Sequence, residues 1–143
     1  MKRLRFLIPL FACLVAIGCK DDTPLEGEPV QLNAGGHTVT LQLGNCRVYK
    51  VERRLFSTRK TRVLSTEFYL GFTACSRQSL IREGDYAIAS LCKQAIGAGG
   101  GCASGGVYRT RDGEKWEKEN HDGQWVPVDE PPSADAPPAQ TTP

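Results

Sequence analysis

Four cysteines, Cys46, Cys75, Cys92 and Cys102, lie in the middle of the 143-residue chain, and no other feature restricts its fold as much. As thiols they would be small buried side chains; as cross-links they would fix which segments lie together. The amino end decides between the two. Met1 to Gly18 has a basic start (Lys2, Arg3, Arg5) followed by twelve mostly apolar residues, Phe6 to Ile17. That run is shorter than the about 20 residues a helix needs to span a bilayer. A basic start, a short apolar stretch and small closing residues describe a secretory signal peptide, which is removed. Pro9 and the basic flank suit a buried amino-terminal helix badly. Cys13 leaves with the leader. Cys19 stands apart at the leader's end, and in an exported small domain the other four cysteines read as two disulfides. A zinc site fits poorly, because there is no C-x-x-C pair and the chain has only two histidines. Three pairings are open, and the sequential one, Cys46–Cys75 with Cys92–Cys102, is the expectation. On the chain-entropy model each bridge contributes roughly 3 to 4 kcal/mol.

The leader ends in Ala16-Ile17-Gly18-Cys19, which resembles the lipobox of bacterial lipoproteins. The resemblance implies that Cys19 is diacylated on sulfur, that the leader is cut before it, and that the new amino end is acylated. One acyl chain holds a protein only marginally at a membrane, whereas two or three anchor it stably. Lys20 stands where an inner-membrane lipoprotein often carries aspartate, so the resemblance implies the outer membrane of the cell envelope.

Removing the leader takes away three basic charges, so a net +2 becomes −1. The charges are segregated. Residues 20 to 30 carry Lys20 against Asp21, Asp22, Glu26 and Glu28, and the tail from Asp129 carries three acids and no base. Residues 31 to 128 hold 14 Lys and Arg against 9 Asp and Glu, a basic body between acidic ends.

The organisation expected from these features is a signal peptide over 1–18, an acylated flexible tether over 19–34, one folded domain over 35–128 and a disordered tail over 129–143. KDDTPLEGEPVQLN is polar, acidic and interrupted by prolines, and as a flexible coil would reach roughly 20 Å. The tail is rich in Pro and Ala and has nothing with which to build a core. Within the domain, His37 to Leu43 alternates with the period of a strand. Arg47 to Phe56 and Val63 to Thr73 are also β-like, and Ser57 to Lys60 reads as the loop between them. In the second run Leu64, Thr66, Phe68, Leu70 and Phe72 would share a face. Residues 85 to 96 are ambiguous. Glu83-Gly84-Asp85 can turn a hairpin, whereas Ile88, Leu91, Cys92 and Ala95 match a short helix capped by Asp85 and ended by Gly97, which is the favoured reading. Gly97 to Gly106 has neither the Lys-Ser/Thr of a P-loop nor the βαβ setting of a dinucleotide fingerprint, so it reads as an irregular loop pinned by Cys102. Asp112-Gly113 and Asp122-Gly123, each between strand-like runs, predict a three-strand meander. Thr110 to Trp116 also resembles a short form of the Asp-box turn of propeller repeats, in a single copy that implies a tight hairpin and no propeller. Two-residue loops would set Arg109 opposite Trp116 and place Trp116, Lys118 and Trp125 on one face. The expected fold is mainly β, with room for a small α+β variant: an antiparallel sheet with a carboxy-terminal meander, stapled by two disulfides.

Catalytic options are thin. His37 and His121 sit in or beside turns, no nucleophile-elbow motif supports a triad, and Glu83 and Asp85 read as turn residues. No enzyme, metal or cofactor is expected. Arg47, Lys50, Arg53, Arg54, Arg59, Lys60 and Arg62 are opposed only by Glu52 and form a positive edge or face, suited to an acidic partner or simply guarding an edge strand. Trp116 and Trp125 could form an aromatic face or pack in the core. The expected function is a non-enzymatic envelope lipoprotein that binds a protein with an acidic surface, as an inhibitor, an immunity factor or an accessory of a secretion or surface assembly. A cell-wall or glycan-binding module is the alternative. Nucleic acid is not expected in the exported compartment.

Overall fold

The structure, a computed structural model, describes residues 22–67, 69–97 and 99–128. The expected leader, Cys19, Phe68 and the expected tail from 129 lie outside these residues. The described chain is all β, in two antiparallel sheets. The first contains β1 (Glu26–Ala34), β2 (His37–Leu43), β3 (Arg47–Arg54) and β4 (Ser57–Ser65). The second contains β5 (Thr73–Glu83), β6 (Tyr86–Ala95), β7 (Ser104–Thr110), β8 (Glu117–Glu119) and β9 (Trp125–Pro127). In both, every strand pairs with its neighbour in sequence. One core joins the sheets: Leu32, Val39, Leu41, Leu43, Val48 and Leu64 meet Ala87, Ala89, Leu91, Tyr108 and Trp116. The alternation of β2 is as expected, with Val39, Leu41 and Leu43 buried.

Both disulfides follow the sequential pairing. Cys46–Cys75 ties the start of β3 to β5 across the two sheets, and Cys92–Cys102 ties β6 to the loop that leads into β7. That loop is shorter than the glycine run, because Ser104, Gly105 and Gly106 belong to β7. At Gly105 the backbone has φ of 124°, and a Cβ there would stand 2.1 Å from the Leu91 carbonyl oxygen, so only glycine allows β7 to approach β6 this closely.

Four expectations are corrected. Residues 26 to 34 are strand, not tether: β1 pairs with β2 from Val30–Leu41 to Ala34–His37 and puts Leu32 in the core. Residues 86 to 95 are strand, not helix. Gly84, with φ of 60°, turns the β5–β6 hairpin, and the inward set is the small series Ala87, Ala89 and Leu91, which hides the strand period behind the larger, outward Ile88. The β3–β4 loop is Leu55-Phe56, and residues 57 to 60 belong to β4. A loop at 57–60 would set Leu64 opposite Arg53, whereas the observed register sets it opposite Val48, in the core. Finally, β4 ends at Ser65, so Val63 to Thr73 is not one strand; Leu70 and Phe72 are exposed in the crossover to β5.

Candidate binding surfaces

The meander forms as expected but in a different register. Asp112 Oδ1 accepts the backbone N–H groups of Glu114 and Lys115, both at 2.8 Å, and the Thr110 hydroxyl at 3.1 Å. Burial pushes the Asp112 carboxyl up, but these donors outweigh it and hold the group below the ordinary carboxylate value. The turn so closed is longer than two residues, so Arg109 pairs with Glu117, not Trp116. A one-residue slip moves a side chain to the opposite face. Trp116 therefore enters the core, 4% exposed, and shares no face with Trp125. A platform of two tryptophans is absent.

Another aromatic arrangement takes its place. Because Ala87, Ala89, Tyr108 and Thr110 point inward, their neighbours Tyr86, Ile88, Arg109 and Arg111 point out from the second sheet. The Arg109 guanidinium carbon lies 4.7 Å from the Tyr86 ring centroid and 4.2 Å from that of Trp125, so it is layered between two rings. Its Nε donates to Glu117 at 2.6 Å. Arg111 covers the Tyr86 ring as well, at 4.5 Å. Half-exposed Ile81 pairs with Ile88 on the same face. The sequence signal for this site was the alternation of GVYRTR, which puts both arginines on one side of a strand.

The seven bases of the hairpin do not make one face. Lys50 points to the interior side and pairs with Glu114 at 2.9 Å. Lys60 lies on the outer side of the first sheet, 5.9 Å from the Tyr49 ring centroid, and donates to the Thr23 carbonyl at 2.7 Å. Arg47 and Arg62 lie near Lys93, whose ammonium is pulled below its ordinary pKa by burial and by those two charges. Arg53, Arg54 and Arg59 stand beyond the body. There Glu52 to Arg59 are all exposed, a finger whose tip, Leu55 and Phe56, is 95% and 99% exposed. Neither tip residue stands out in the sequence, because turns are ordinarily polar.

At the edge of the second sheet, Glu67 accepts from Lys118, from the Tyr108 hydroxyl at 3.3 Å and from the Gly105 N–H at 3.3 Å. Burial raises the Glu67 pKa, but the lysine and the backbone donors bring it below the ordinary value. Burial, followed by the Glu67 charge, drives the Tyr108 hydroxyl strongly upward. This cluster pins the start of the β4–β5 crossover to β7 and β8. His37 opens β2 and His121 lies in the β8–β9 turn, both exposed; Glu83 ends β5 and Asp85 is in the hairpin loop. Among the described residues no group of His, Cys, Asp and Glu converges as metal ligands. No protein-family model matches the chain, and no significant match exists among the curated proteins or the solved structures.

Proposed function

We propose that the protein is a lipid-anchored, non-enzymatic module of the cell envelope that binds a protein partner on the outer face of its second sheet. The observation that carries this reading is the Tyr86–Arg109–Trp125 stack with Arg111 at its end. Tyr, Trp and Arg are the residues on which interface energy concentrates. Here they are held in place before any partner arrives, since Glu117 fixes the guanidinium and the rings sandwich it, so little side-chain entropy remains to be lost on binding. Among the described residues Arg111 pairs with no carboxylate, and it gives the face a positive bias toward an acidic surface. Ile81 and Ile88 supply apolar area beside it. A glycan reading would have to use Trp125 without Trp116, and Arg109 already covers one face of its ring. Within the protein-binding class, the function is that of an inhibitor, an immunity factor or an accessory of an envelope assembly.

Affinity capture from solubilised envelopes tests the reading. The unaltered protein should retain a saturable partner, and Arg109→Ala or Trp125→Ala should weaken capture by roughly 30-fold, the effect of losing about 2 kcal/mol at a hot spot. Unchanged capture by both variants, or no saturable partner at all, would overturn it. The anchor is tested separately: Cys19→Ala should abolish metabolic labelling by a fatty-acid analogue, and equal labelling of both proteins would refute acylation at Cys19.

A further inference from the structure

We infer that the β3–β4 finger is a second membrane contact, which dips Leu55 and Phe56 into the surface of the bilayer that holds the acyl chains. The inference rests on the anchor at Cys19 proposed above. Three observations support it.

The first is the tip itself. Leu55 and Phe56 are almost wholly exposed, next to each other, at the end of a hairpin that has left the body of the domain. A convex apolar tip offers no pocket for a ligand, but it fits a soft apolar phase. The second is charge. Arg53 and Arg54 precede the tip and Arg59 follows it, with Glu52 the one acid of the finger. Apolar residues ringed by arginine match the boundary of a bilayer carrying anionic headgroups, where the side-chain stems can lie against the acyl region while the guanidinium groups meet phosphate.

The third observation places the membrane. The Thr23 carbonyl is held by Lys60, on the same hairpin, and the Pro24 carbonyl lies against Gly44, where a Cβ would approach it to 2.7 Å. The incoming chain is therefore fastened to the outer side of the first sheet. Cys19 is four residues before Thr23, at most about 14 Å of fully extended chain. Phe56 is four residues before Lys60 along the hairpin, about 13 Å away. A bilayer close enough to hold Cys19 is thus within reach of the tip. The outer side of the first sheet then faces the membrane, and the Tyr86–Arg109–Trp125 face, on the other sheet, is turned away from it.

The test uses the acylated protein reconstituted in vesicles, with Phe56→Trp as a probe. Emission is compared with that of the parent, which carries Trp116 and Trp125, in phosphatidylcholine vesicles with and without phosphatidylglycerol. Lipids brominated along their chains act as quenchers. In anionic vesicles the added tryptophan should shift to the blue and be quenched at least twofold more than the parent's emission, and Leu55→Asp in the same background should remove the difference. Vesicle flotation reports the anchor independently. Flotation without extra quenching would overturn the finger contact and leave the anchor standing. Absence of flotation would overturn the anchor and this inference with it. A probe that responds only when envelope proteins are added would assign the finger to a protein partner and overturn the membrane contact. Equal quenching in neutral and anionic vesicles would overturn the part given to the arginines.

Discussion

Leu32→Ala decides whether residues 26 to 34 are a structural strand or a leash. Leu32 is 1% exposed and sits in the core cluster with Leu41 and Leu64. Truncation removes three carbons from a filled space. At about 0.8 kcal/mol per buried methylene the transfer loss is about 2.4 kcal/mol, and the cavity adds to it. Because β1 is an edge strand, free to settle inward, a total of about 3 kcal/mol is expected, in the lower half of the range for buried leucines. For a domain of this size that lowers Tm by roughly 12 to 20 °C. Urea unfolding followed by tryptophan fluorescence gives the free energy, and scanning calorimetry gives Tm. Gln31→Ala, at the neighbouring exposed position, is the control and should stay within about 0.5 kcal/mol. A loss below about 1 kcal/mol for Leu32→Ala would refute the packing argument, since a tether residue would behave in that way.

Three other outcomes follow from the same structure. Replacing Cys46 and Cys75 by alanine should cost about 3.6 kcal/mol and replacing Cys92 and Cys102 about 2.7 kcal/mol, from sequence separations of 29 and 10 on the chain-entropy model; denaturant midpoints that reverse this order would contradict it. Gly105→Ala should prevent accumulation of folded protein, because the clash is with the Leu91 backbone, whereas Gly84→Ala, with open space around it, should cost only the roughly 1 to 3 kcal/mol of backbone strain in a urea titration. Asp112 and Glu67 bind protons less readily folded than unfolded, so the stability they add is present above their ordinary values of 3.8 and 4.5 and drains away as pH falls through and below them. Urea midpoints taken from pH 6 downward should therefore fall less steeply in Asp112→Asn than in the parent.

The mainly β class, both disulfides, the alternation of β2 and the existence of the meander were legible in the sequence, each for a local reason: turn residues, period and cysteine order. Two of the failures share a cause, which is that register is set by the core and not by the turn. In the β3–β4 hairpin the polar stretch Ser57 to Lys60 has the better turn chemistry, yet keeping Leu64 opposite Val48 puts Leu55 and Phe56 at the bend. At the meander, one extra residue in the Asp112 turn moves Trp116 from the surface to the core. In β1 the acids, Gly27 and Pro29 mask a strand that gives the core only Leu32, with Val30 half-buried beside it. The Tyr86–Arg109–Trp125 stack joins β6, β7 and β9, so no local window contained it.

Consecutive cysteines being native partners has a consequence for how the protein acquires its bridges. In a chain delivered amino end first, Cys46 is the first of the four bridging cysteines, and its pair with Cys75 can close before Cys92 and Cys102 are available to compete. The strands follow the same order, since within each sheet a strand pairs with the one just before it, and β1 to β4 need nothing from β5 onward to form their ladder. An oxidase that joins thiols in order of arrival would therefore make the native set directly, and a disulfide isomerase would find no crossed bridge to correct.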